Sequence, residues 1–180
     1  MCKDMVGLVS RTGRQLQRYN MGRRQVVGCI PYRYTNGSEG TPFHELLEVL
    51  VISSQKGHGI LFPKGGWETD ETVEEAAARE SLEEAGVLGI LEVELGKWSF
   101  KSRRHGTIYE GYMFPLLVKE VLDSWPEENL RQRKWMPVHK AREACEHWWM
   151  KEALDRFVNR LESPSQDVQT KNHVSPCSLS

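Results

Sequence analysis

The chain has 180 residues, enough for one domain with a sizeable core and short for two. With 39% apolar and 27% charged residues its composition is that of an ordinary soluble protein, and a net charge of −1 argues against a general nucleic-acid binder. Cys2, Cys29, Cys145 and Cys177 show neither CxxC nor metal-ligand spacing, which points to free thiols in a reducing compartment and away from a disulfide framework or zinc site.

The N-terminal stretch MCKDMVGLVSRTGRQ has no apolar run long enough for a signal peptide, and no segment of the chain approaches a membrane span. Its arginines and few acids leave a mitochondrial presequence open, although serine richness and clear amphipathy are missing; the cytosol, with or without the nucleus, is the default. Gln25–Tyr34 and Leu46–Ser53, rich in β-branched and aromatic residues, read as strands joined by the turn-rich TNGSEGTPF, and Ile60–Phe62 reads as a short strand. Glu71–Ala85 reads as a helix: Thr72 with Glu75 has the form of a capping box, and Gly86 stands where a left-handed cap belongs. Strand-like pieces follow at Gly89–Leu95, Lys97–Lys101, Thr107–Val118 and Lys134–Val138. From His139 to Leu161 apolar residues recur every three or four positions, giving one long helix or two short ones. A basic segment, 1–24, is expected to pack on a domain spanning 25–162, and the polar stretch 163–180, with two prolines, is expected to be a disordered tail.

The segment before and within the first long helix carries the chemistry. From Glu68 to Glu84 there are eight acids and one base, Arg79. Glu80, Glu83 and Glu84 stand at i, i+3 and i+4, so their carboxylates emerge on one helix face. Carboxylates held that close repel, and protonation or a cation must relieve the repulsion. A hard divalent cation such as Mg²⁺ takes one or two carboxylates with water and substrate phosphates. A solvated acidic face accounts for the same run of charge, and spacing alone leaves both readings standing.

The segment resembles the Nudix box, Gly-x5-Glu-x7-Arg-Glu-U-x-Glu-Glu-x-Gly-U with U a bulky aliphatic residue. Gly65, Glu71, Arg79, Glu80, Glu83, Glu84, Gly86 and Val87 match, and Ser81 stands in place of the first aliphatic residue. A chance match of the seven fixed positions is on the order of one in 10⁵ at this composition. The resemblance implies an α/β fold, a Nudix-type α/β/α sandwich with a mixed β-sheet. It implies Mg²⁺ (with Mn²⁺ an admissible substitute) on Glu80, Glu83 and Glu84 beside Gly65. Arg79 would orient a box carboxylate, and Glu71, Gly66 and Gly86 would shape the loop and helix. Ser81 would lose some apolar contact under the helix without removing a ligand.

The bases suggest the substrate. Met5–Ser38 holds six arginines and no acid; Leu95–Tyr109 is acid-free and holds Lys97, Lys101, Arg103, Arg104 and His105; a third cluster is Arg131, Arg133 and Lys134. An acidic cluster set among basic segments suits a compact polyanion, because arginine grips phosphate oxygens bidentately. RNA would account for the same charge, but the aromatics do not interleave with the basic runs. Within the family the chain is most similar to diphosphoinositol polyphosphate phosphohydrolases of plant type, through SRTGRQLQRY, LFPKGGWE, SRRH and RQRKWMPVHKARE. That likeness implies phosphate contacts from Arg18, Arg24, Lys56, Lys64, Arg103, Arg104, His105, Arg131 and Arg133. It also implies hydrolysis of a diphosphate group on an inositol polyphosphate with release of phosphate, Glu83 or Glu84 accepting the proton. A dinucleoside polyphosphate hydrolase shares the chemistry and would want an aromatic slot, from Trp67, Trp98 or Tyr109. A non-catalytic polyphosphate or RNA-binding module would have lost box glutamates, and all are present. A monomer is the default, and the substrate is the only partner expected.

Overall fold

Strand β2 (Arg23–Tyr34) is buried without interruption from Gln25 to Tyr32, the mark of a strand covered on both faces. It pairs in parallel with β8 (Ile108–Val121), from Arg24 opposite Tyr109 to Tyr32 opposite Leu117. Its other edge is shared by two antiparallel partners, β3 (Leu47–Ser53) and β5 (Lys64–Gly66). The short β1 (Tyr19–Asn20) also pairs with β2; β4 (Ile60–Leu61) and β9 (Arg133–Pro137) pair with β3; and β6 (Val87–Leu91) and β7 (Gly96–Lys101) pair with β8. The result is one mixed sheet in a computed structural model that describes residues 9–163.

Helices cover the sheet on both faces. The Cys29 thiol bonds the Ala77 carbonyl of α2 (Val73–Ala85), whereas the Tyr32 ring packs 4.8 Å from Phe157 of α4 (Trp148–Glu162). Three residues apart on one strand, Cys29 and Tyr32 point to opposite faces. The sandwich with a mixed sheet is therefore present as expected. Its core joins Val27, Ile30, Leu50, Ile52, Met113 and Leu116 from the sheet to Ala76, Ala77, Trp149, Leu154 and Phe157 from the helices.

The long C-terminal periodicity divides into α3 (Val138–Ala144) and α4, separated by an extended step in which Cys145 bridges to Ile60. A four-residue helix, α1 (Phe43–Leu46), lies at the end of the turn-rich linker and was not expected, nor were β1 and β5. The sixth strand begins and ends earlier than the pattern suggested, at Val87 and Leu91 rather than Gly89 and Leu95. Of the basic segment 1–24, residues 9–24 are described; Gln17 bridges to Glu68 and the Arg18 N–H bonds the Trp67 carbonyl. Residues 164–180 of the expected tail, with Cys2 and Cys177, lie outside the described residues; Cys29 and Cys145 are buried free thiols. No described helix is long and apolar enough to cross a membrane.

Candidate active site

Helix α2 is set by its ends. The Thr72 hydroxyl accepts from the Glu75 N–H, the Glu75 carboxylate returns a bond to the Thr72 N–H, and Gly86 closes the helix at φ 63°. This fixes the rotation of the helix, and Glu80, Glu83 and Glu84 all turn inward, each under 10% exposed. Arg79 lies across them. Its guanidinium grips both Glu71 oxygens at 2.7 and 2.9 Å, reaches Glu80 at 2.8 Å and Glu83 at 3.4 Å, and donates to the Gly66 carbonyl at 2.9 Å. Against the penalty of burial, Arg79 and the Glu68 N–H hold the Glu71 carboxyl below its ordinary range.

The other box carboxylates are less well compensated. Burial, reinforced by the neighbouring Glu84, pushes the Glu80 carboxyl up; burial also raises Glu84, although Arg131 and Lys64 oppose it. Glu84 accepts from the Lys64 N–H at 2.9 Å and from Arg131 at 2.5 Å, and Glu83 accepts from the Arg11 N–H at 3.1 Å. The Arg11 side chain pairs with Glu68 and Asp70. Among the described residues, no three His, Cys, Asp or Glu side chains enclose a point as they stand. Three carboxylates on one helical stripe, all three raised first by burial and Glu80 also by the charges of Glu84 and Glu83, form a hard-oxygen donor set that fits a divalent cation. Gly65 faces this stripe, and a Cβ there would overlap the Glu80 carboxylate.

Beside Gly65 opens a cleft of about 260 Å³ lined by Arg24, Lys64, Lys101, Arg103 and Arg104, with Tyr109, His147, Trp148 and Trp149. Its one acid, Glu146, pairs with Arg103 at 2.9 Å. Burial, with Lys64 and Arg103 nearby, holds the His147 imidazole down to about 4. The buried Trp149 indole N–H has no acceptor among the described residues. A second cleft, of about 290 Å³, lies on the other side of Arg24 and Tyr109 and holds Arg14 and His105.

The bases expected to bind phosphate thus divide. Arg24, Lys64, Arg103, Arg104 and His105 line the clefts, and Arg131 sits at Glu84. Arg18 instead lies over the Trp67 ring, 4.3 Å from its centroid, and donates to the Glu68 and Thr69 carbonyls, so it braces the box loop. Arg133 is spent on the C-terminus of α2. It donates to the Ala85, Gly86 and Leu122 carbonyls and stacks on Trp125, which corrects its expected role. Lys56, exposed between β3 and β4, lines neither cleft.

Gln17 carries no motif or periodic signal and was not among the expected site residues. Its buried amide donates to the Arg18, Gln25 and Trp67 carbonyls and accepts from the Arg24 Nε at 2.8 Å, aiming that arginine at the clefts. A Cβ on Gly66 would overlap its carbonyl oxygen. Glu146 and His147 were hidden too, because the period of the helix pattern runs straight through the extended step that places them.

The NUDIX domain model matches residues 23–157. The chain belongs to the Nudix family. It is 70% identical over 157 residues to Nudix hydrolase 18, mitochondrial, of Arabidopsis thaliana, covering 87% of this chain and 89% of that one. It is 40% identical over 97 residues, 52% of each chain, to diphosphoinositol polyphosphate phosphohydrolase 2 of Rattus norvegicus. A C. elegans Ap4A hydrolase superposes with a TM-score of 0.59 at 19% identity, over 76% of this chain and 97% of that one, a likeness of fold alone. In the Nudix box of this chain Ser81 is fully buried where an aliphatic residue is usual, and its hydroxyl bonds back to the Ala77 carbonyl at 3.0 Å. The Cys29 thiol shares that acceptor from across the interface, so the hydroxyl is satisfied within the helix and faces a small polarizable neighbour.

Proposed function

We propose that this Nudix chain is a pyrophosphohydrolase that cleaves the diphosphate group of diphosphoinositol polyphosphates, releasing inorganic phosphate. The observation that carries the reading is the joining of the buried carboxylate stripe, through Gly65 and Lys64, to a cleft with five bases and one acid. Nudix hydrolases use a divalent cation such as Mg²⁺, and here Glu80, Glu83 and Glu84 would hold it. When bound, it supplies a Lewis acid for the diphosphate oxygens and acidifies water. The chain's own residues do the rest. Arg79 holds Glu71 and Glu80 in place. Arg24, Lys64, Arg103 and Arg104 neutralise and orient the phosphates, and Glu83 or Glu84 accepts the proton. The partial likeness to a diphosphoinositol polyphosphate phosphohydrolase supports the substrate class.

A nucleoside polyphosphate is the second reading, and one observation favours it. Trp148, 52% exposed, and Tyr109 border the basic cleft, where a purine could stack. The other aromatics expected to serve are engaged: the Trp67 indole bonds the Glu71 carbonyl beneath Arg18, and the Trp98 indole bonds Glu152. Comparing kcat/KM on isomeric diphosphoinositol phosphates and on diadenosine polyphosphates, with products followed by ³¹P NMR, decides between the two; preference for the dinucleotides overturns the first. Glu84→Gln is expected to lower kcat by roughly 100-fold or more with KM little changed, and Arg24→Ala to raise KM several-fold; an unchanged kcat for Glu84→Gln at saturating Mg²⁺ would refute the assignment.

The compartment is a proposal of the same standing. Arg11 and Arg18 are engaged by the box loop, which accounts for the acid-free start without a targeting role and keeps the cytosol as the reading. The relative named mitochondrial favours the other location. Import of the full chain into isolated mitochondria, with protease protection as readout, separates them.

A further inference from the structure

Two walls of the inner cleft are anchored independently of each other. In the turn between β7 and β8 the Ser102 N–H bonds the Thr107 carbonyl at 2.8 Å and the Gly106 N–H bonds the Ser102 carbonyl at 2.9 Å. Opposite, the extended step between α3 and α4 is pinned by the bridge from Cys145 to Ile60, and the His147 carbonyl accepts the Met150 and Lys151 N–H groups. A side-chain contact joins these walls. The Arg103 guanidinium donates to the Glu146 carboxylate at 2.9 Å and to the Glu146 carbonyl at 3.3 Å. Behind that carboxylate stands Gly59, at φ 89°, where a Cβ would come within 3.0 Å of it. Of the five bases that line the cleft, Arg103 alone makes an ion pair among the described residues, and its partner is the one acid of the lining. The pair is open to water: its side chains are 69% and 52% exposed, against 9% and 8% for Arg131 and Glu84. An ion pair so exposed is weakly held and readily exchanged. Its carboxylate presents two oxygens to the guanidinium, as a phosphate would.

We propose that Glu146 is a specificity-determining residue of the inner cleft: its carboxylate occupies Arg103 in the free protein and must be displaced by a phosphate of the substrate. The inference rests on the reading that this cleft takes a polyphosphate. A small anion seated at Lys64, beside the box, leaves the pair closed and gains nothing from Arg103. A ligand with several phosphates exchanges one of them for the carboxylate, and Glu146, already half in water, turns to solvent. The exchange costs the ion pair and sets a free carboxylate beside the bound anion, so Glu146 lowers affinity for every ligand that needs Arg103. It acts through Arg103 and takes no part in breaking the bond.

Glu146→Gln tests this, since it keeps the shape and an oxygen for Arg103 but removes the charge. Calorimetry without metal would compare myo-inositol hexakisphosphate with methylenediphosphonate, two probes that the enzyme cannot cleave at a diphosphate. Glu146→Gln is expected to tighten the hexakisphosphate about fivefold and methylenediphosphonate by less than about twofold. Glu143→Gln makes the same change of net charge on the exposed face of α3, outside both clefts, and should leave each probe within about twofold of wild type. In turnover with Mg²⁺, Glu146→Gln should lower KM for a diphosphoinositol substrate several-fold with kcat little changed. Equal hexakisphosphate binding by Glu146→Gln and wild type overturns the role of Glu146, as does an equal gain for both probes or an equal gain from Glu143→Gln. Absence of hexakisphosphate binding by all three proteins overturns the polyphosphate reading of the cleft and this role with it. If dinucleotides alone are turned over while Glu146→Gln still gains selectively for the hexakisphosphate, the substrate reading falls and the role of Glu146 stands.

Discussion

His147 marks where the inner cleft turns from solvent to core. Its ring is penalised first by burial and then by the charges of Lys64 and Arg103, and only Glu146 pulls the other way. The folded imidazole therefore takes its proton near pH 4, against 6.5 for the free side chain. Between those values the unfolded chain binds a proton that the fold excludes, so this residue withdraws stability as the pH falls from 6.5 towards 4. His147→Gln should remove that part of the acid sensitivity. Its Tm should drop less than that of wild type between pH 7 and pH 4.5, by roughly 2 °C or more; equal drops would show that the ring does not titrate this way. Near pH 7 the same ring is neutral, which leaves Arg24, Lys64, Lys101, Arg103 and Arg104 to carry the positive charge of the inner cleft.

Helix α2 is the element on which the carboxylate stripe depends, and its register comes from the two caps rather than from the glutamates. Thr72→Ala removes one half of the capping box and should lower stability by about 1 kcal/mol, a Tm decrease of about 2–4 °C in a chain of this size. Denaturant titration checks the energy, and an unchanged midpoint would show that packing alone sets the helix start. The caps and the box were legible in the sequence because each is local: Thr72 and Glu75 act within the first turn, Gly86 bonds back to the last turn, and Glu80, Glu83 and Glu84 share a face by spacing alone. The clefts were legible only as clusters of base. Whether a given arginine reaches a ligand or a carbonyl depends on contacts far away in the chain. Arg133 is drawn off by Leu122 and the end of α2, and Arg24 is steered by Gln17, which shows no periodic or motif signal. The break between α3 and α4 was hidden for the same reason. Cys145 leaves the helix to bridge Ile60, more than eighty residues earlier, while the apolar spacing on either side carries on unbroken.

At the scale of the whole molecule, the box places charge where folding least favours it. Glu80 and Glu84 are both under 10% exposed, and burial raises both carboxyls. Arg79 and Arg131 compensate in part, but Arg79 is divided among Glu71, Glu80 and Glu83, and Arg131 between Glu84 and Glu127. A cation that binds only the folded chain should stabilise it by mass action, by about 1.4 kcal/mol at ten times its Kd, or a Tm rise of about 3–6 °C. Chelator should reverse that rise. Glu80→Gln separates the two contributions of the carboxylate, because it removes an unfavourable buried charge and a cation ligand together. Its metal-free Tm should equal or exceed that of wild type, while the Mg²⁺-dependent rise shrinks to under about 1 °C. Scanning fluorimetry of both proteins, with Mg²⁺ and with chelator, reads both quantities at once. A full Mg²⁺ response in Glu80→Gln would place the cation off this stripe, and a metal-free Tm well below wild type would show Glu80 to be a net structural partner of Arg79 rather than a charge held in reserve for metal.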